Sequence, residues 1–305
     1  MVLAEAANPL LDPWRFQSHF EVWLLVAFLI GARVYALRVI GPHATYHRRG
    51  EPVVTARQNK FFAAAIAVLW ISSDWPIHDI AEEYLYSVHM FQHMALSYFL
   101  PPLALMATPA WLFRALFDTP VAGRVVRWFS QPVVAGVLYN AVVLITHIPA
   151  LVNRSASNGP LHYFLHVLVV TSSLLMWIPV VSPEPSLRIG YIGRMIYLFL
   201  MSVVPTIPAA WLTFAEGAVY KHYDMAIRVW GLSVTVDQQI AGAIMKTGGT
   251  IFLWSIIVFL WFRRFTAQFD GEQTYRRTSE PLTYDDVTRA FEQVPPIKED
   301  DAPHR

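Results

Sequence analysis

Seven apolar stretches, each near the ~20 residues needed to cross a bilayer, leave this sequence little choice of fold. They lie at about 20–40, 58–75, 83–107, 131–149, 161–181, 191–213 and 236–262. The second is the shortest. Charged residues make up only 15% of the chain and hydrophobic ones 55%, whereas soluble domains run near 25% charged. The sequence therefore predicts an all-α, polytopic transmembrane bundle of seven helices. Pro101-Pro102 should kink or end the third span, and Pro205 and Pro208 should kink the sixth. No internal repeat is visible.

Loop charges orient the bundle, because cytoplasmic loops carry excess Lys and Arg. The 41–60 loop holds Arg48, Arg49, Arg57 and Lys60; the 108–130 loop holds Arg114, Arg124 and Arg127; the 183–194 loop holds Arg188 and Arg194; the last span exits at Arg263-Arg264. The alternate loops carry fewer basic residues, none of them in 76–82. The N-terminus is thus expected outside and the C-terminus in the cytoplasm, with no signal peptide, since the first residues lack a basic n-region and a small-residue cleavage site. Residues 266–305 carry nine acidic and five basic side chains, a net of −4 in a chain whose total is +1. They read as an acidic, largely disordered cytoplasmic tail behind a transmembrane domain of residues 1–265. Between the third and fourth spans, 110–129 mixes aromatic residues with arginines, the pattern of an interfacial helix. No basic patch or groove-reading motif points to nucleic acid.

The chemistry lies in the histidines. In HDIAEEYLYSVHMFQHM, residues 78–94, a helical reading puts His78, Glu82, His89 and His93 on one stripe and Met90 and Met94 on the next. His89 and His93 are one turn apart on a single face, and so are His162 and His166 at the start of the fifth span. His147 closes the fourth span on the same side. At 1.5 Å per residue, His93 falls roughly 15 Å below the start of its helix, deep for a site shared with helix ends. Met225 lies in the last outer loop; Met245 sits about two turns into the seventh span, which opens with Asp237 and Gln238. Histidine inside lipid is costly and marks a ligand or proton site by default.

The chain has no cysteine, which excludes thiolate sites and disulfides. A ligand set of imidazoles with thioethers nearby fits copper best, as Cu(I), in the outer leaflet. Each residue also has a plainer reading. His89 and His166 suit helix-packing hydrogen bonds, while His147 and His162 suit solvated interfacial positions. His19, His78 and His222 read as surface or mouth residues. Met90 and Met94 read as packing filler, and Asp74 and Glu82 as interfacial carboxylates.

Four segments carry a family resemblance: SVHMFQHMALSYFLPPLALMATPAW at 87–111, YNAVVLITHIPALVN at 139–153, LHYFLHVLVVTSSLLMWIPVV at 161–181 and DQQIAGAIM at 237–245. In that order they resemble the polytopic CtaG-like assembly factors of bacterial caa-type cytochrome c oxidases, over more than half the chain. The resemblance implies a multi-pass protein of the bacterial plasma membrane that takes part in supplying copper to a haem–copper oxidase. Carried over by position, its site residues are His89, His93, His147, His162 and His166, with Asp237 and Met245. The chain departs from the family pattern after Met245, where Lys246-Thr247-Gly248-Gly249 replaces an aromatic and a proline. That lysine is a candidate partner for Asp237.

The expectation is then a non-enzymatic copper carrier. Its histidines, facing the periplasm, would take Cu(I) from a periplasmic donor and pass it to oxidase subunit I or II by ligand exchange. Two other readings fit parts of the sequence. One is a membrane haem-binding electron-transfer protein using His93 and His166; the other is a non-metal accessory subunit of a respiratory oxidase complex.

Overall fold

The computed structural model describes residues 12–44, 50–117, 119–224, 228–278 and 284–293, and every regular element among them is helical. The α-helices are α1 (Phe20–Tyr35), α2 (Ala56–Ser73), α3 (Ile77–Glu83), α4 (Tyr86–Met94), α5 (Leu100–Ala107), α6 (Ala110–Phe117), α7 (Pro120–Phe129), α8 (Pro132–Thr146), α9 (Pro149–Ala156), α10 (Gly159–Val181), α11 (Tyr191–Val203), α12 (Thr206–Phe214), α13 (Val234–Ala243), α14 (Gly249–Thr278) and α15 (Tyr284–Glu292). Among the described residues, five helical segments are long and apolar enough to cross a membrane: Phe20–His43, Ala56–Glu83, Gly159–Val181, Tyr191–Phe214 and Val234–Phe269. Two bent pairs raise the number to seven if each is one span, with α6 turning 98° from Tyr86–Ala107 and α7 turning 71° from α8. Only 17–44% of the apolar window of each of the five is buried. Apolar side chains thus face outward, as lipid permits and water does not. The protein is a multi-pass membrane protein.

Contacts divide the chain at Val258. The unit that follows comprises, among the described residues, the rest of α14 and α15. With no proline between 208 and 281, α14 runs through Thr278, beyond the span end expected at about 262.

In the first unit, local sequence sets where the helices begin. Thr55 and Gln58 form a reciprocal capping box at α2, Asn158 Oδ1 accepts Leu161 N–H at α10, and Ser233 Oγ accepts Val236 N–H at α13. α4 has no cap of its own; its N-terminus is capped from elsewhere, as described below. α10 packs against α5 and α8, and α13 against α4 and α12. At that last crossing Gly242 is required, because a Cβ there would meet Ala209 O at 2.6 Å and Thr213 N at 2.8 Å.

The prolines act differently from a simple kink. Pro101 and Pro102 open α5 directly after a π-helical turn, Ala95–Phe99. Pro101 has no N–H to offer the Ser97 carbonyl four residues back, and the fully buried Trp177 of α10 donates its indole N–H to that oxygen at 3.0 Å. Two other π-helical turns among the described residues are Ala36–Ile40, after α1, and Ile244–Gly248, which joins α13 to α14; Pro205 interrupts the helix between α11 and α12.

Candidate metal centre

The expected helix through residues 83–107 is broken at its start. Tyr84 leaves the helical region and Leu85 is extended, so α3 and α4 are separate. Counted from Tyr86, His93 lies only about 10 Å into α4, level with its neighbours on α10. His89 and His93 project from α4, His162 and His166 from α10, and His147 from the end of α8. Ring centroids are 4.5 Å apart for His89–His93, 4.9 Å for His93–His166 and 4.4 Å for His162–His166. These four rings, His147 and Glu82 line one cavity of about 30 Å³, room for an ion and about one water.

Glu82 is the residue that sequence reasoning undervalued. It was on the histidine stripe, seven residues before His89, but was read as interfacial. One oxygen, Oε1, accepts the Nδ1–H of His89 at 3.0 Å and lies 3.1 Å from Nε2 of His162, close but out of line for a hydrogen bond. A carboxylate accepts only, so His89 is protonated on Nδ1 and its Nε2 carries the lone pair. His147 has the same tautomer, with Nδ1 donating to Val143 O at 2.7 Å. Its Nε2 is buried with no hydrogen-bond partner, and so is Nε2 of His166.

Ligand atoms of His89, His93 and His166 lie within 4.8 Å of one another, as do those of Glu82, His162 and His166. An ion bound at about 2.0–2.1 Å to each nitrogen holds its ligands roughly 3–4 Å apart, so rotamer adjustments of under an ångström or so close either group. The donor set (imidazole with one carboxylate and no thiolate) suits copper or zinc. Backing this wall, Tyr86 stacks on His89 at 5.4 Å and packs against Tyr220 and Tyr223. Tyr220 donates its hydroxyl to His147 O at 3.0 Å; burial pushes its phenol up to about 12, so the donor persists throughout the physiological range.

The other expected site residues go elsewhere. Asp237 is fully buried but does not line the cavity. Its carboxylate accepts Tyr86 N–H at 2.9 Å, Ser87 N–H at 3.0 Å and the Ser87 hydroxyl at 2.6 Å, and lies 3.5 Å from Arg228. It is thus the missing cap of α4, holding in place the helix that carries His89 and His93. Lys246 does not pair with it, donating instead to Thr206 Oγ1 at 2.6 Å. Gln238 clamps the loop of Tyr220 through the backbone N–H groups of Val219 and Tyr220. Met245 lines a second cavity beyond His93 and His147. His78 accepts from Gln92 at 3.1 Å, and His19 lies 2.9 Å from Asp79; neither joins the centre. Asp74 is structural, accepting the indole N–H groups of Trp23 and Trp70. Met225 lies outside the described residues.

No solved structure matches this chain. Two proteins described as uncharacterized, one from Mycobacterium bovis and one from Mycobacterium tuberculosis, are each 28% identical to it over 258 residues, 77% of this chain and 36% of their own length. The chain thus spans about a third of the length of these curated relatives. A family model described as cytochrome c oxidase caa3 assembly factor (Caa3_CtaG) matches residues 42–267, which take in every helix that lines the histidine cavity. That match covers most of the chain, which therefore belongs to the cytochrome c oxidase caa3 assembly factor family.

Proposed function

We propose that this protein binds copper in the histidine cavity and hands it to a haem–copper oxidase during assembly. The observation that carries this is the pair of buried imidazole nitrogens, His147 Nε2 and His166 Nε2, that meet no donor or acceptor at the wall of one ion-sized cavity. Buried polar atoms are nearly always satisfied, and a lone pair left free on a histidine whose other nitrogen is anchored, as His147 Nδ1 is on Val143 O, is what a metal ligand requires. Membership in an oxidase assembly family favours copper over zinc as the cargo. The periplasmic face is the proposed entrance, because the loop-charge asymmetry puts this end of the helices outside.

Release needs only exchange of one imidazole for a ligand of the acceptor, oxidase subunit I or II, so no bond is made or broken in a substrate and no enzymatic step is invoked. A copper donor on the periplasmic side would load the site. The haem alternative fits poorly, since a cavity of about 30 Å³ has no room for a macrocycle between His93 and His166.

Metal analysis of the detergent-purified protein tests the reading. Wild type should retain copper after exposure to Cu(I), and His89→Ala and His166→Ala should lose it. A strain lacking the protein should make oxidase with haem but reduced copper. Copper-free wild type that copurifies with oxidase subunits would support the accessory-subunit reading instead.

A further inference from the structure

We propose that the chamber lined by Met90, Met94, Met245, His93 and His147 is a second copper(I) site, reached from the histidine cavity through the two histidines that line both. The proposal rests on the copper reading above and extends it inward.

The chamber is about 30 Å³ and lies between α4, α8 and the α13–α14 span. Only nine methionines occur in 305 residues, yet three of them line this one small space, each less than a tenth exposed. Thioether sulfur is a soft ligand that favours Cu(I) over harder divalent ions. Packing alone gives flexible methionines a different outcome, because they adapt to fill gaps; here they leave a void of ionic size.

The helices are irregular where they meet the chamber. Met94 is the last residue before the π-helical turn Ala95–Phe99, whose Ser97 and Tyr98 also line the space, and Met245 lies inside the π-helical turn Ile244–Gly248. Pro205, at the break between α11 and α12, closes it. π-helical turns shift side chains around the helix axis and concentrate at functional sites. Lys246, the nearest cation in sequence, is turned to Thr206 and does not line the chamber.

His147 ties the two spaces together. Its Nδ1 is fixed on Val143 O and its Nε2 has no partner, while its ring borders both cavities, as does that of His93. An ion can therefore trade imidazoles for thioethers one ligand at a time, through the two histidines that border both spaces. The outer cavity captures; the inner one holds Cu(I) selectively.

Anaerobic Cu(I) titration of the full chain in detergent against a chromophoric chelator, with X-ray absorption at the copper edge, tests this. Wild type should bind two copper ions and show sulfur neighbours; the triple variant Met90→Leu/Met94→Leu/Met245→Leu, which conserves volume, should bind one, with nitrogen and oxygen neighbours only. Wild type with a single, sulfur-free copper overturns the inner site and leaves the histidine reading standing, whereas wild type with no copper overturns both. The wild-type sulfur signal decides the matter even if the triple variant does not fold.

Discussion

Glu82 Oε1 receives the Nδ1–H of His89 at 3.0 Å across the break that separates α3 from α4. That contact fixes the imidazole's tautomer and orientation and aims Nε2 at the cavity.

Glu82→Gln keeps the shape and removes the charge. Copper affinity should fall about 10–100-fold, read by chelator competition on protein whose circular dichroism matches wild type. A change within about twofold would show that the carboxylate plays no part in the site.

Asp237 and Met245 came from one sequence motif, and the structure separates their roles. Asp237→Asn should cost about 2–5 kcal/mol of stability, because a buried carboxylate accepting three hydrogen bonds beside an arginine loses its charge. Thermal unfolding in detergent measures the loss. The folded fraction should still bind copper in wild-type stoichiometry, which separates a positioning role from ligation.

Trp177→Phe leaves the Ser97 carbonyl, already deprived of a partner by Pro101, without its indole donor. A destabilisation of about 1–3 kcal/mol is expected by the same assay. An unchanged midpoint would mean that the π-helical turn satisfies that oxygen in some other way.

At the opposite end of α10, Arg114 Nε lies 2.5 Å from Glu184 Oε2 and holds that carboxyl below its ordinary 4.5. A carboxyl with a depressed folded-state value stabilises the fold above the unfolded value and loses that contribution as pH falls through the folded one. The pair is solvent-screened, so Arg114→Ala should cost only about 0.2–1 kcal/mol at neutral pH. The gap between the two unfolding curves should begin to narrow as pH falls below about 4.5, close once pH passes below the depressed folded value, and also shrink in high salt. A gap that persists at low pH assigns the effect to packing.

Much of the fold was legible because lipid imposes a length and a polarity on every span, and those are properties of consecutive residues. The paired histidines were legible for the same reason, since a spacing of four fixes a shared face. The role of Glu82 was half legible: its spacing placed it on the stripe, but the turn at Tyr84–Leu85 that folds it against His89 has no periodic signature. Asp237 was beyond reach. Its partners Tyr86 and Ser87 stand 150 or so positions away, and nothing in a local pattern separates a carboxylate that caps a distant helix from one that binds a metal. The second chamber was hidden for a similar reason, because Met90 and Met94 look like filler until Met245 is brought opposite them.

The Asp237 cap also has a consequence for biosynthesis. At a ribosomal pace of roughly 5–20 residues per second, α4 is made about 7–30 s before its anchor is available. Through that interval the helix bearing His89 and His93 sits in the bilayer with an unclosed N-terminus, so the cluster takes its final arrangement only once the last span has been inserted. A nascent chain stalled before residue 237 would carry every histidine of the centre and still lack the clasp that aligns them.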